Sequence, residues 1–125
     1  MGTSQRPEPL ISLALDPADS RHLVASGQKS LHVSRDGGKS WRRLPGAPGL
    51  LAWSASERLF SVDETGVVAV SAMGGKTWQA TGTVSGPPAA VERGRGGLML
   101  VALHDGTIKQ SANGGATWRL RSRPG

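Results

Sequence analysis

Apolar residues along this chain come in short runs broken by Gly, Pro, Asp and Ser, and three of the runs have the same neighbours. "LISLALD" (Leu10 to Asp16), "LLAWSA" (Leu50 to Ala55) and "PAAVER" (Pro88 to Arg93) each open a unit. After a loop comes a second run: "HLVAS" (His22 to Ser26), "RLFSVD" (Arg58 to Asp63) and "LMLVALH" (Leu98 to His104). A tight turn rich in Gly follows, then "SLHVS" (Ser30 to Ser34), "VVAVS" (Val67 to Ser71) and "TIKQS" (Thr107 to Ser111). A last extended segment closes each unit, as in "WRRL" and "WRLR". No stretch holds helical spacing over eleven residues or more. The pattern predicts an all-β chain of three units with four strands each, joined by turns of hairpin chemistry. "LMLVAL" is apolar on both alternating faces, as expected of a strand covered on both sides.

The third and fourth strands of every unit are joined by nearly one octapeptide. It reads "SRDGGKSW" at Ser34 to Trp41, "SAMGGKTW" at Ser71 to Trp78 and "SANGGATW" at Ser111 to Trp118. The three Trp are 37 and 40 residues apart, a period that points to propeller blades. The Gly pair supplies positive φ, and Asp36 or Asn113 can accept backbone N–H groups within the turn. The hydroxyls of Ser40, Thr77 and Thr117 can do the same, and each Trp offers a large ring to bury between sheets. The octapeptide therefore reads as a fastening, with no chemistry of its own.

On these residues the chain resembles the Asp-box, or bacterial neuraminidase repeat, found in sialidases, sortilin-type receptors, some glucanases and photosystem assembly factors. Ser34, Asp36, Gly38, Ser40 and Trp41 match the pattern S-x-D-x-G-x-[ST]-W throughout. Ser71, Gly75, Thr77 and Trp78 match in the second copy, where Met73 stands in place of the acid. Ser111, Asn113, Gly115, Thr117 and Trp118 form the third. The likeness spans residues 10 to 121. In detail, including "ALDPADSRHL" and "HDGTIKQS", it is closest to bacterial sialidase-like, glycosylhydrolase-labelled proteins. It implies a β-propeller fragment of three four-stranded antiparallel blades: a polar tail over 1–9, blades over 10–44, 48–81 and 86–121, and a second tail over 122–125. It also implies a parent that is often secreted or periplasmic, and Asp-boxes that lie away from any active site.

Geometry accounts for that separation. In a four-stranded meander the octapeptide turn shares a rim with the connection between strands one and two. The connection between strands two and three shares the opposite rim with the link to the next blade. Binding residues are expected on that opposite rim: Lys29 and Ser30, Asp63 and Glu64, His104 and Asp105, and the links Pro45 to Gly49 and Ser85 to Pro88. Asp63, Glu64, His104 and Asp105 are the candidates for contact with a glycan, peptide or protein.

Composition narrows the chemistry further. A sialidase needs a Tyr nucleophile, and the chain has no Tyr; it also has no Cys, so thiolate chemistry and disulfides are excluded. Asp63, Glu64 and Asp105 could form a pair of hydrolytic carboxylates, but each reads first as a turn residue. "GGKS" and "GGKT" lack the earlier Gly and the helix of a phosphate loop. His22, His32 and His104 lack ligand spacing, so neither a metal nor a cofactor is expected. No apolar run is long enough to span a membrane, and Met1 to Pro9 is polar with two prolines, unlike a signal peptide. The compartment stays open. Net charge is +6, with 11 of 15 cations Arg, yet no basic run exceeds two and no aromatics interleave, so a nucleic-acid partner is not expected.

Three blades fall short of the four to eight of a closed ring. The chain is expected either to belong to a larger propeller or to associate with a second copy to complete one. The reading is a non-catalytic scaffold or recognition module. The alternative is a portion of a sialidase-like glycoside hydrolase whose catalytic residues lie outside this chain.

Overall fold

The computed structural model describes residues 8–55, 58–72, 74–94 and 98–123. Twelve strands and no helix occur among them. Blade 1 holds β1 (Leu10–Leu15), β2 (Leu23–Gly27), β3 (Leu31–Ser34) and β4 (Arg42–Leu44). Blade 2 holds β5 (Leu50–Ala55), β6 (Arg58–Val62), β7 (Val67–Ser71) and β8 (Gln79–Thr83). Blade 3 holds β9 (Pro88–Arg93), β10 (Met99–Leu103), β11 (Ile108–Ser111) and β12 (Arg119–Ser122). Each blade is a simple antiparallel meander. The innermost strands β1, β5 and β9 stand side by side.

Registers fix which residues share a face. Leu23, Leu59 and Met99 pair with Ser34, Ser71 and Ser111, the first residues of the three octapeptides, so the blades superpose residue by residue. Every blade then has an upstream face, toward the lower-numbered blade, and a downstream face. Blade 1's downstream Ala14, Val24, Leu31 and Leu44 meet blade 2's upstream Leu51, Trp53 and Leu59. Blade 2's downstream Ala52, Phe60, Val62 and Val68 meet blade 3's upstream Met99, Val101 and Leu103. The core is therefore two apolar seams between three sheets. Each buried Leu or Val in a seam stabilises the stack by about 1.5–3 kcal/mol.

The octapeptide turns fasten these seams from one rim. In the first, Asp36 accepts from the Ser34 hydroxyl (2.8 Å), the Lys39 and Ser40 N–H groups (3.1 and 2.9 Å) and the Ser40 hydroxyl (2.6 Å). The Ser40 hydroxyl foremost, with the other donors, holds its pKa down to about 2. Asn113 repeats the acceptor role toward Ser111 and Thr117, and turns its amide N–H onto the Thr117 hydroxyl (2.7 Å). Gly38, Gly75 and Gly115 sit at φ of 95°, 94° and 87°, and each donates its N–H to the opening Ser. Every Trp indole N–H returns to the carbonyl of that same Gly. Position 73 lies outside the described residues, so its Met cannot be compared with the acid.

Trp78 packs on the seam between blades 1 and 2, and Trp118 on the seam between blades 2 and 3. The expectation that each Trp is buried between sheets fits these two and the first in part, since Trp41 is only 7% exposed. Trp41 occupies the same position on blade 1, whose upstream face meets no blade of this chain. That face leaves Leu13 and Leu15 56% and 50% exposed, where their counterparts Leu51 and Trp53 are 6% and 3% exposed.

The downstream face of blade 3 differs as well. "LMLVAL" was expected to be covered on both sides, yet Leu100 and Ala102 are only half-buried. Their face carries Glu92 and Gln110 where the other blades have Ala14 or Ala52 and Val33 or Val70. It is a wetted outer surface, like the polar outer face of a terminal repeat.

Glu8 is engaged with blade 1, contrary to its reading as tail. The Glu8 carboxylate accepts from the Lys29 N–H (2.9 Å) and the Ser30 hydroxyl (2.7 Å) and meets His32 Nε2 (3.2 Å). The Ser30 hydroxyl, then His32 and the Lys29 N–H, lower its pKa to about 2. Glu8-Pro9, Ala47-Pro48 and Gly86-Pro87 fall at a regular 39-residue interval, just ahead of the first strand of each blade.

Candidate functional site

The rim opposite the octapeptides is built from the turns between second and third strands and from the links between blades. The turn after β6 is set by Asp63. Its Oδ1 accepts from the Thr65 N–H, the Thr65 hydroxyl and the Val67 N–H at 2.9, 2.6 and 3.0 Å. Gly66, at φ 96°, closes it by donating to the Asp63 carbonyl. A side chain at Gly66 would strike Gly86 of the next link, so turn and link lie in contact.

A groove of about 670 Å3 opens on this rim. Its floor is apolar, with Ile11 from β1, Leu50 from β5 and Val62 from β6; Pro48 and Pro88 stand at its sides. Lys29 borders it from the turn after β2, and Asp63, Glu64 and Thr65 from the turn after β6. An apolar trough with a few charged groups at its edge is the usual form of a ligand site.

Of the four candidate residues, Asp63 and Glu64 line this groove, and His104 and Asp105 do not. The His104 N–H donates to the Pro87 carbonyl (3.1 Å), which seats that turn on the link between blades 2 and 3. Asp105 accepts from the Thr107 N–H (2.8 Å). Lys29 and the link residues Pro48, Gly49 and Pro88 join the groove as rim residues should. Ile11 and Leu50 were missed, because an apolar strand residue reads as core. Ile11 is brought to the surface by a register shift between Leu10 and Ser12, which alternation of residue types does not reveal.

Asp63 and Asp105 are shifted the wrong way for acid catalysis. Partial burial would raise the Asp63 pKa, but the Thr65 hydroxyl and the Val67 and Thr65 N–H groups outweigh it and hold it below its ordinary value. The Thr107 N–H and hydroxyl do the same for Asp105. A general acid needs its pKa raised; Asp63 and Asp105 are shifted the other way, toward the anion. Among the described residues no three His, Asp or Glu side chains gather where they could hold a metal ion.

One further polar pair is buried on the other rim. His22 Nδ1 meets Asp16 Oδ2 at 2.9 Å, with the imidazole edge-on to Trp53 at 4.9 Å between centroids. Its Nε2 has no hydrogen-bond partner and lies beside Gly74 of the second octapeptide. The pair wedges blade 1 against blade 2 and is closed to ligands.

No family model matches this chain, and no curated protein is similar in sequence. Solved structures are similar in fold. YCF48 from Cyanidioschyzon merolae superposes with a TM-score of 0.75 at 22% identity, over 96% of this chain and 40% of that one. YCF48 bound to D1 peptide gives 0.70 at 19% identity, over 89% of this chain and 39% of that one. The GH74 enzyme of Niastella koreensis gives 0.57 at 17% identity, over 90% and 24%. The chain thus spans about two fifths or less of these neighbours' length. At such identities the likeness is one of fold: three blades of a β-propeller.

Proposed function

We propose that this chain is a non-catalytic recognition module of Asp-box propeller type that binds a peptide segment of a partner protein in the groove between Lys29 and Asp63–Glu64. The observation that carries this reading is the groove itself: an apolar trough with two carboxylates, Asp63 and Glu64, at its edge. An extended segment would lay apolar side chains on Ile11, Leu50 and Pro48 and bring a Lys or Arg to Asp63 and Glu64. One YCF48 neighbour was solved with a peptide bound, which makes a peptide the first ligand class to try.

Glu64 is exposed, so it can be changed without touching the turn that Asp63 holds. In a peptide-array screen followed by titration, Glu64→Lys is expected to weaken the selected peptide at least about tenfold, with unchanged melting. Equal affinity in this variant would sink the reading.

A second reading keeps this fold as part of a glycoside hydrolase, favoured by the GH74 neighbour. It requires turnover. Release of product from aryl glycosides or xyloglucan by the purified chain would replace the recognition reading with this one.

The apolar upstream face of blade 1 further supports association with a second copy that turns the same face to it. Leu13→Glu is expected to abolish any dimer seen by light scattering, with the monomer left folded.

A further inference from the structure

Along the chain the cations are scattered, but a repeat that superposes blade on blade gathers them. Arg21, Arg35, Lys39, Arg58, Lys76 and Arg119 all lie exposed on or beside the octapeptide rim, in its turns and at its strand ends. Among the described residues no Lys or Arg lies within ion-pair distance of a carboxylate. The acids of this rim are largely occupied. Asp16 is buried against His22, Asp36 uses both oxygens inside its turn, and Asp19 accepts from the Arg21 N–H. The opposite rim is nearly balanced, with Glu8, Asp63, Glu64 and Asp105 against Lys29, Lys109 and Arg123. The octapeptide rim is the more basic of the two.

The basic rim also holds a groove of about 690 Å3, lined by Arg58, Val70, Ala72, Thr77, Trp78 and Gln79. Trp78 is half-buried, and its indole N–H is committed to the Gly75 and Pro45 carbonyls at 2.9 and 3.1 Å. Its polar group is therefore spent, and what it offers the groove is carbon surface. Arg58 reaches along the groove to Gly114 of the third octapeptide. The interleaved aromatic that the linear sequence lacks is supplied by folding.

We propose that the octapeptide rim binds single-stranded nucleic acid. A base stacks on Trp78, and the Arg58 guanidinium, whose fork matches a phosphate, takes the neighbouring backbone group. Lys76, Lys39 and Arg35 hold the strand as it leaves the groove. A duplex keeps its bases stacked inside and has none to give Trp78. An acidic glycan would need many directed donors for its hydroxyls, and the groove offers Thr77, Gln79 and Arg58. This proposal concerns the opposite mouth from the peptide groove and stands or falls separately.

The test is anisotropy of a labelled oligothymidylate titrated with the full chain between about 50 and about 200 mM salt. Binding should weaken steeply with salt and quench Trp fluorescence. The exposed triple variant Arg58→Ser, Lys76→Ala, Lys39→Ala should bind about tenfold more weakly, with the slope of log affinity against log salt smaller by about 2. Lys29→Ala, on the other rim, should bind as the parent does, and circular dichroism checks that both variants fold. No binding at the lower salt would overturn the proposal. So would a triple variant that binds as tightly as the parent, duplex DNA bound as tightly as the single strand, or preference for an acidic polysaccharide such as polygalacturonate.

Discussion

Asp36 shows how much one side chain can organise. Its two oxygens gather four donors from a turn that also needs two positive-φ glycines, and Asn113 does the same work uncharged. Asp36→Asn is therefore expected to melt close to the parent at neutral pH, and Asp36→Ala several degrees lower. Their pH responses should differ. The folded pKa of about 2 lies below the ordinary Asp value of 3.8, so the charged form's contribution is complete above about pH 4 and is lost as pH falls through about 2. Thermal scans from pH 7 to pH 2 should show the parent losing stability faster than Asp36→Asn over that lower interval. Ser85 is the opposite case. It holds φ at 61° without being Gly, at the place where the preceding link has Gly46 at 109°. Ser85→Gly is expected to stabilise by about 1 kcal/mol, read as a higher denaturant midpoint. A lower midpoint would mean that the freedom Gly adds to the unfolded chain outweighs the strain relieved.

Individual elements were legible in the sequence to the extent that their chemistry was local. The extended run of every strand, the hairpin turns and the octapeptide connection can be read from residue types within a few positions. Meander geometry alone puts Asp63 and Glu64 on the rim opposite the octapeptides. What escaped needed partners far along the chain. Ile11 reaches the groove through a bulge, and Glu8 is held by residues more than twenty positions away. Glu92 and Gln110 look unremarkable in β9 and β11 until the registers show them in the places that Ala and Val take in blade 1. The inter-blade seam sets the energetics at this scale. Leu59 is fully buried between blades 1 and 2, so Leu59→Ala should cost about 2–5 kcal/mol in urea unfolding. Leu120 is exposed on the outer strand β12, and Leu120→Ala should change that value by under about 0.5 kcal/mol.

At the scale of the whole molecule the two unpaired faces are unequal. Two copies meeting nose to tail would have to press Glu92 against Leu13 and Leu15, taking a carboxylate out of water. That penalty recurs at every added link, so runaway filaments, the ordinary hazard of a particle sticky at both ends, are checked by a single acid. Glu92→Ala removes the check. Concentrated solutions of that variant should grow turbid and show fibres by microscopy while the parent stays clear.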